Sequence, residues 1–122
     1  MDLEKEKWVF VYEKRNYDTA LEIFTTFQNA SKQLKLKVEE PYWIELKVEN
    51  SRQDLEEELR SYMMNAPNKT IRHPTVVVCL LRGEFNYPMY KEVLISFRMP
   101  SQVITVTNGR KFNLSKATNI LR

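Results

Sequence analysis

The sequence predicts an α/β fold: an open, mostly parallel four-stranded sheet with helices on both faces. Three observations carry this. Four short apolar segments are each followed by a stretch with helical hydrophobic spacing, giving the order βαβαβαβα. One of them, TVVVCLL at Thr75 to Leu81, is apolar on both faces, as the centre of a helix-covered parallel sheet requires. Finally, 122 residues with 43% hydrophobic content suffice for one core, so a single domain over residues 1–122 is expected.

The first strand is WVFVY, Trp8 to Tyr12, and after it Ala20, Ile23, Phe24, Phe27, Ala30 and Leu34 recur at helical spacing. Pro41 interrupts. Ile44, Leu46 and Val48 then alternate with Glu45, Lys47 and Glu49, the pattern of a half-exposed edge strand. A second helix starts near Ser51, whose hydroxyl can cap backbone donors with Asp54 three residues on, and turns Leu55, Leu59, Tyr62 and Met63 inward. It ends before Pro67, and NAPNKTIRHP reads as a surface loop leading into the third strand. The third helix opens at Pro88, a residue suited to the first helical position, with Tyr90, Val93, Leu94 and Phe97 inward, and Pro100 closes it. QVITV, Gln102 to Val106, is the fourth strand. Asn108-Gly109 makes a turn, and Leu114, Ala117, Thr118 and Leu121 form the inner face of a last helix.

This order is Rossmann-like. Ligands of such sheets gather at the carboxyl ends of the strands, where helix N-termini also point. The loop Arg82 to Asn86, the start of the third helix and the residues around Gln102 are therefore the expected site.

Residue inventory excludes several chemistries. No apolar run approaches the roughly 20 residues of a membrane helix, so no membrane partner is expected. MDLEKEKW lacks the apolar core of a secretory signal and Cys79 has no second cysteine to pair with, which points to a reducing intracellular setting, cytoplasmic or nuclear. With Gly83 and Gly109 the only glycines, neither a dinucleotide loop nor a phosphate-cradling loop is present. His73 and Cys79 do not make up the roughly four ligands of a zinc site, and Cys79 inside a strand reads as a small core residue. Asp54, Glu56, Glu57 and Glu58 read as a solvated helix face that complements the N-terminal dipole. Trp8, Trp43, Phe24, Phe27 and Phe97 read as core aromatics.

The net charge of +3 is unevenly spread: Met1 to Ser61 carries −4 and Tyr62 to Arg122 carries +7. Such a half favours a polyanion on one side of the fold, and the same excess also describes a solvated basic surface. Within it, YPMYK places Tyr87 and Lys91 on one helical face near a helix N-terminus, where backbone N–H groups favour an anion. With six Tyr and eleven Lys in the chain, about half of one such pair is expected by chance, so the pair alone favours an ordinary amphipathic turn over an anion site.

The order of five segments adds a resemblance. WVFVYEKRNYDTA at Trp8 to Ala20, TVVVCLL, YPMYK, PSQVI at Pro100 to Ile104 and KATNIL at Lys116 to Leu121 occur in the order seen in the MID domain of Argonaute proteins. The strand running into RNYDTA, and the PSQ before a strand, resemble the Piwi branch in particular. The resemblance spans nearly the whole chain. It implies that the domain binds the 5′-monophosphate of a small guide RNA through Tyr87, Lys91 and Gln102, with a basic residue of the last helix beside them, for which Arg122 is the candidate. It implies that Arg82, Gly83, Glu84, Phe85 and Asn86 contact the first base. Slicing in the family belongs to a separate PIWI domain, so no catalytic residue and no enzymatic activity are expected here. PIWI and PAZ domains of the same parent chain are the implied protein partners, and the domain by itself is expected to be a monomer. No organic cofactor is implied, although a divalent ion such as Mg²⁺ joins the phosphate in some members. The spacing from Lys91 to Gln102 is slightly shorter than in Piwi members. The family's last phosphate-binding lysine falls a few residues past Arg122, so the chain is expected to be a piece of a larger protein cut near there.

The chemistry suits this role. A terminal phosphate carries about −1.5 to −2 charge against one for an internal phosphodiester, so convergent Lys, Gln and helix-terminal donors distinguish a strand's end from its interior. Two alternatives come from the residues alone. One is a small doubly wound enzyme or ligand-binding domain acting on a phosphorylated metabolite, with Lys91 as an electrostatic clamp. The other is a scaffold whose basic half docks an acidic protein.

Overall fold

The computed structural model describes residues 1–65, 74–107 and 111–122. In chain order they form β1 (Val9–Glu13), a 3-10 turn (Lys14–Asn16), α1 (Tyr17–Leu34), β2 (Tyr42–Leu46), α2 (Arg52–Asn65), β3 (Val77–Arg82), α3 (Tyr87–Ser96), β4 (Ser101–Val106) and α4 (Leu114–Leu121). Every strand pairing is parallel and the sheet order is β2-β1-β3-β4. The four-stranded open sheet with helices on both faces is therefore the fold that the periodicity predicts. Because the chain moves outward from β1 to β2 and then crosses back to β3, the switch point lies between β1 and β3.

Strand alternation divides the core into two layers. Trp8, Phe10, Tyr12, Val78, Leu80 and Ile104 turn to the face covered by α1 and α4, while Val9, Val11, Ile44, Leu46, Val77, Cys79 and Leu81 turn to α2 and α3. β1 and β3 have a neighbour on each side, and all five residues of β1 and the first five of β3 are buried. Trp8 is fully buried and its ring lies 6.1–6.2 Å from Phe10, Phe24 and Phe27, with its indole N–H donating to the Glu39 carbonyl at 2.9 Å. Of the expected core aromatics, Trp8 and Phe27 are fully buried, while Phe24, Trp43 and Phe97 pack against the core partly buried.

Local signals hold where they depend on neighbours in sequence. The Asp54 N–H donates to the Ser51 hydroxyl at 3.1 Å, and Pro88 lies in the first turn of α3. Three expectations differ. Val48 lies beyond β2 and is 56% exposed, because the Asp54 carboxylate accepts from the N–H groups of Lys47 and Val48 at 2.8 and 3.0 Å and folds that segment into the turn ahead of α2. Met63 is exposed, since α2 buries only Leu55, Leu59 and Tyr62. Leu114 is exposed at the first residue of α4, which buries Ala117 and Leu121. Phe97 lies just past α3, half-buried, with the Arg60 guanidinium 5.9 Å from its ring.

The expected loop after Asn65, the helix end at Pro67, His73 and the Asn108-Gly109 turn fall on residues 66–73 and 108–110, outside the described residues. Among the described residues no helix is long and apolar enough to cross a membrane. Replacing Phe10 by Ala empties the centre of the aromatic layer and is expected to cost about 3–5 kcal/mol, whereas Leu114→Ala is expected to stay within about 0.5 kcal/mol. Urea denaturation midpoints at constant m-value compare the two.

Candidate functional site

The site is framed by two features, a buried carboxylate at the end of β1 and the free edge of β4. Glu13 is 3% exposed. Its Oε1 accepts from Arg15 at 3.0 and 3.2 Å, and its Oε2 accepts from the Asn50 N–H at 2.7 Å and the Tyr90 hydroxyl at 3.4 Å. Burial, with the Glu13 charge alongside, pushes the Tyr90 hydroxyl well above the usual phenol range, so it stays a donor. The loop between β3 and α3 is held from the same side. Arg82 donates through Nε to the buried Asn16 Oδ1 at 3.0 Å, Asn86 donates to the Asn50 side chain, and Gly83 donates to the Val106 carbonyl at 3.1 Å. Gly83 has φ +81°, a conformation that favours glycine.

Along β4, α3 runs back against the strand direction. Lys91 donates through Nζ to the Ser101 carbonyl at 3.2 Å and its hydroxyl at 2.9 Å. Ser101, Val103 and Thr105 share the face toward α3, and a cavity of about 360 Å³ lies between Val103 and Thr105 on one side and Glu84, Tyr87 and Pro88 on the other. Gln102 has the opposite parity, with Ile104, and donates to the Val103 carbonyl at 3.3 Å. It lines a second cavity of about 330 Å³ with Phe112, Lys116, Asn119 and Ile120 of the α4 side. Val103 and Thr105 line both cavities, so the two meet across the free edge of β4.

The expected residues therefore distribute along an edge strand. Tyr87 lines the first cavity, Gln102 the second, and Lys91 is tied to Ser101 between α3 and the start of β4. Arg122 is exposed at the end of α4. The carboxyl ends of the strands hold Tyr87 and the loop but not Gln102: the register Val78↔Gln102 sets it level with the start of β3, about 13 Å along the strand from Val106. The five loop residues also separate. Glu84 lines the Tyr87 cavity, Arg82 and Gly83 line a third cavity of about 250 Å³ with Val106 and Thr107, Phe85 is 89% exposed, and Asn86 is turned to Asn50. Sequence reasoning missed Ser101, Thr105, Lys116 and Asn119. The first two could have been found from alternation about Gln102, the others from helical spacing on α4.

Other groups are accounted for. Cys79 is fully buried, which pushes its thiol up to about 12, so it is protonated and sheltered rather than a nucleophile. Tyr12 donates to Glu45 at 3.1 Å, and burial together with that carboxylate raises it to about 12. Glu56 pairs with Arg52 and Arg60 on the surface of α2. Among the described residues no three His, Cys, Asp or Glu side chains form a group able to hold a metal. Lys91, Ser101, Gln102 and Lys116 offer ammonium, hydroxyl and carboxamide groups but no carboxylate, so by themselves they do not fit a divalent cation.

Fold and site define a class: an open Rossmann-like α/β domain with cavities on both sides of an edge strand, between two helices. No protein-family model and no curated protein sequence matches the chain. Among solved structures it is similar to the crystal structure of Drosophila Piwi, with a TM-score of 0.75 over 98% of this chain and 17% sequence identity. The chain spans 16% of the length of that protein. The likeness is one of fold, and it is the fold that the resemblance to Piwi-branch MID domains implies.

Glu13→Ala is expected to cost about 3 kcal/mol in thermal or urea unfolding, because the Asn50 N–H and the Tyr90 hydroxyl lose a buried acceptor; Glu13→Gln, which keeps one acceptor oxygen, is expected to cost less. Cys79 is expected to resist thiol reagents at pH 8 in the native protein and to react at once after unfolding, as mass spectrometry would record.

Proposed function

We propose that the chain is a MID-type module of a larger Argonaute-family protein of the Piwi kind, holding the 5′-monophosphate and first nucleotide of a small guide RNA. The observation that carries this is Lys91, tied to Ser101 at the start of the edge strand whose following residues line the Tyr87 and Gln102 cavities, in a chain that shares its fold with a segment of Drosophila Piwi.

The chemistry follows from the donors. An ammonium has three N–H groups, and Ser101 engages two of them at most, leaving one for an anion. The Ser101 hydroxyl accepts from Lys91 and so keeps its own proton to donate. Gln102 adds a carboxamide, Lys116 a second ammonium from α4, and Arg122 a guanidinium at that helix's end. This donor set suits the two negative charges of a terminal phosphate better than the one of a phosphodiester. The Tyr87 ring, 40% exposed over its cavity, is available for stacking on the first base, which alanine substitution values elsewhere put at about 1–3 kcal/mol. The role is retention, with no bond broken; slicing, in this reading, belongs to a PIWI domain of the parent chain, and that domain and PAZ are its partners.

Titration with nucleoside 5′-monophosphates and with the unphosphorylated nucleosides, followed by amide chemical shifts, tests the reading. Monophosphates are expected to bind and nucleosides to bind far more weakly. Lys91→Ala is expected to weaken monophosphate binding about tenfold or more while leaving the circular dichroism spectrum unchanged. Equal binding by wild type and variant removes Lys91 from the site. Turnover of phosphate esters would instead mark a small enzyme, and shifts with acidic peptides alone would mark a scaffold.

A further inference from the structure

We infer that the free edge of β2 is a docking strand for an extended, basic segment of a partner protein, which adds to the sheet as a fifth strand. The sheet has two edges, and this one lies opposite the β4 edge that carries the candidate nucleotide site. The two surfaces are independent. Tyr42 turns its N–H inward, to the Trp8 carbonyl at 2.8 Å, so the alternation of a parallel ladder directs the backbone N–H and C=O groups of Trp43 and Glu45 away from β1, where the sheet has no further strand. Such outward groups are a template for another chain.

The side chains along the edge select the occupant. Trp43 packs on the α1 face, half-buried, with its ring 5.5 Å from Phe24. Nearer the start of α1, Tyr17 is 48% exposed with its ring 6.0 Å from Tyr12, and Leu21, one turn on, is 38% exposed. Two exposed carboxylates border this apolar ledge. Glu45 accepts at Oε1 from the Tyr12 hydroxyl at 3.1 Å, and Glu40 accepts at Oε1 from the Trp43 indole N–H at 3.0 Å. Both donors are neutral, so each carboxylate is oriented without losing its charge. Among the described residues neither Glu40 nor Glu45 has a cationic partner, whereas Glu4, Glu13, Glu49, Glu56 and Glu92 each pair with a Lys or Arg. A guanidinium both stacks on an aromatic ring and binds a carboxylate, which is the combination this border presents. In an added strand every second side chain faces the same way, about 6.6 Å apart, so arginine or lysine at alternate positions meets the ledge repeatedly. A second copy of β2 is disfavoured, because it would set like charges against one another across the new pairing.

The test titrates the whole chain with a capped six-residue peptide alternating arginine and valine, with its counterpart alternating glutamate and valine, and with the arginine peptide N-methylated throughout. The arginine peptide is expected to shift the amides of Trp43 and Glu45 and the Trp43 indole N–H, and the other two peptides are not. A double variant, Glu40→Gln with Glu45→Gln, keeps an acceptor oxygen for Trp43 and Tyr12 but removes both charges. It is expected to weaken binding of the arginine peptide about five- to tenfold, with the circular dichroism spectrum and nucleoside monophosphate binding unchanged. No shift at β2, equal binding of the glutamate peptide, shifts confined to β4, or equal affinity in the double variant overturns the proposal. Undiminished binding of the N-methylated peptide overturns strand addition, and concentration-dependent self-association with the same β2 shifts gives the edge to a second copy and overturns the basic partner. Each of these results leaves the monophosphate titration at β4 to stand or fall by itself.

Discussion

A carboxylate taken out of water at the end of β1 organises the loops above the sheet. Burying such a charge costs several kcal/mol unless donors replace the lost water. Glu13 receives them from three places: Arg15 just after β1, the backbone of Asn50 in the turn before α2, and Tyr90 in α3. Arg15 extends the network to Glu49 at 2.9 Å, and Asn50 reaches on to Asn86 at the start of α3. One side chain thus fixes where α2 begins and how α3 descends over the sheet. The wall of the candidate site stands at its height because of a residue that does not line it.

The floor has a different origin. β4 is an edge strand with α3 over one face and α4 over the other, and successive side chains must point to opposite faces. Ser101 and Gln102 are adjacent in sequence, yet one meets Lys91 and the other meets the cavity beside Lys116. In a central strand two such groups would be separated by the sheet. At the edge they can address one ligand lying across the strand.

What the sequence revealed, and what it hid, divides by range. β1, β3 and the helices were legible because alternation and helical spacing are local, and so were the Ser51 cap and the placement of Pro88. Val48 was misplaced because a carboxylate six positions away captured its N–H. The position of Gln102 relative to Tyr87 follows from the register of β4 on β3, which no local pattern encodes. The loop from Arg82 to Asn86 reads as one unit in sequence, but contacts spanning 66 and 36 positions, to Asn16 and Asn50, divide it and leave Glu84 toward the cavity. The grouping of Tyr87, Lys91 and Gln102 as a candidate set rests on the resemblance, since spacing alone does not distinguish the first two from an ordinary helical turn.

The attachment of Lys91 to Ser101 bears on how an anion would be received. A free lysine side chain has about 2 kcal/mol of rotamer entropy to lose when it is immobilised. Here two neutral oxygens hold the ammonium in place without cancelling its charge, so much of that freedom is surrendered when the chain folds rather than when a guest arrives. Lys91 is in this sense a standing charge on a rigid post.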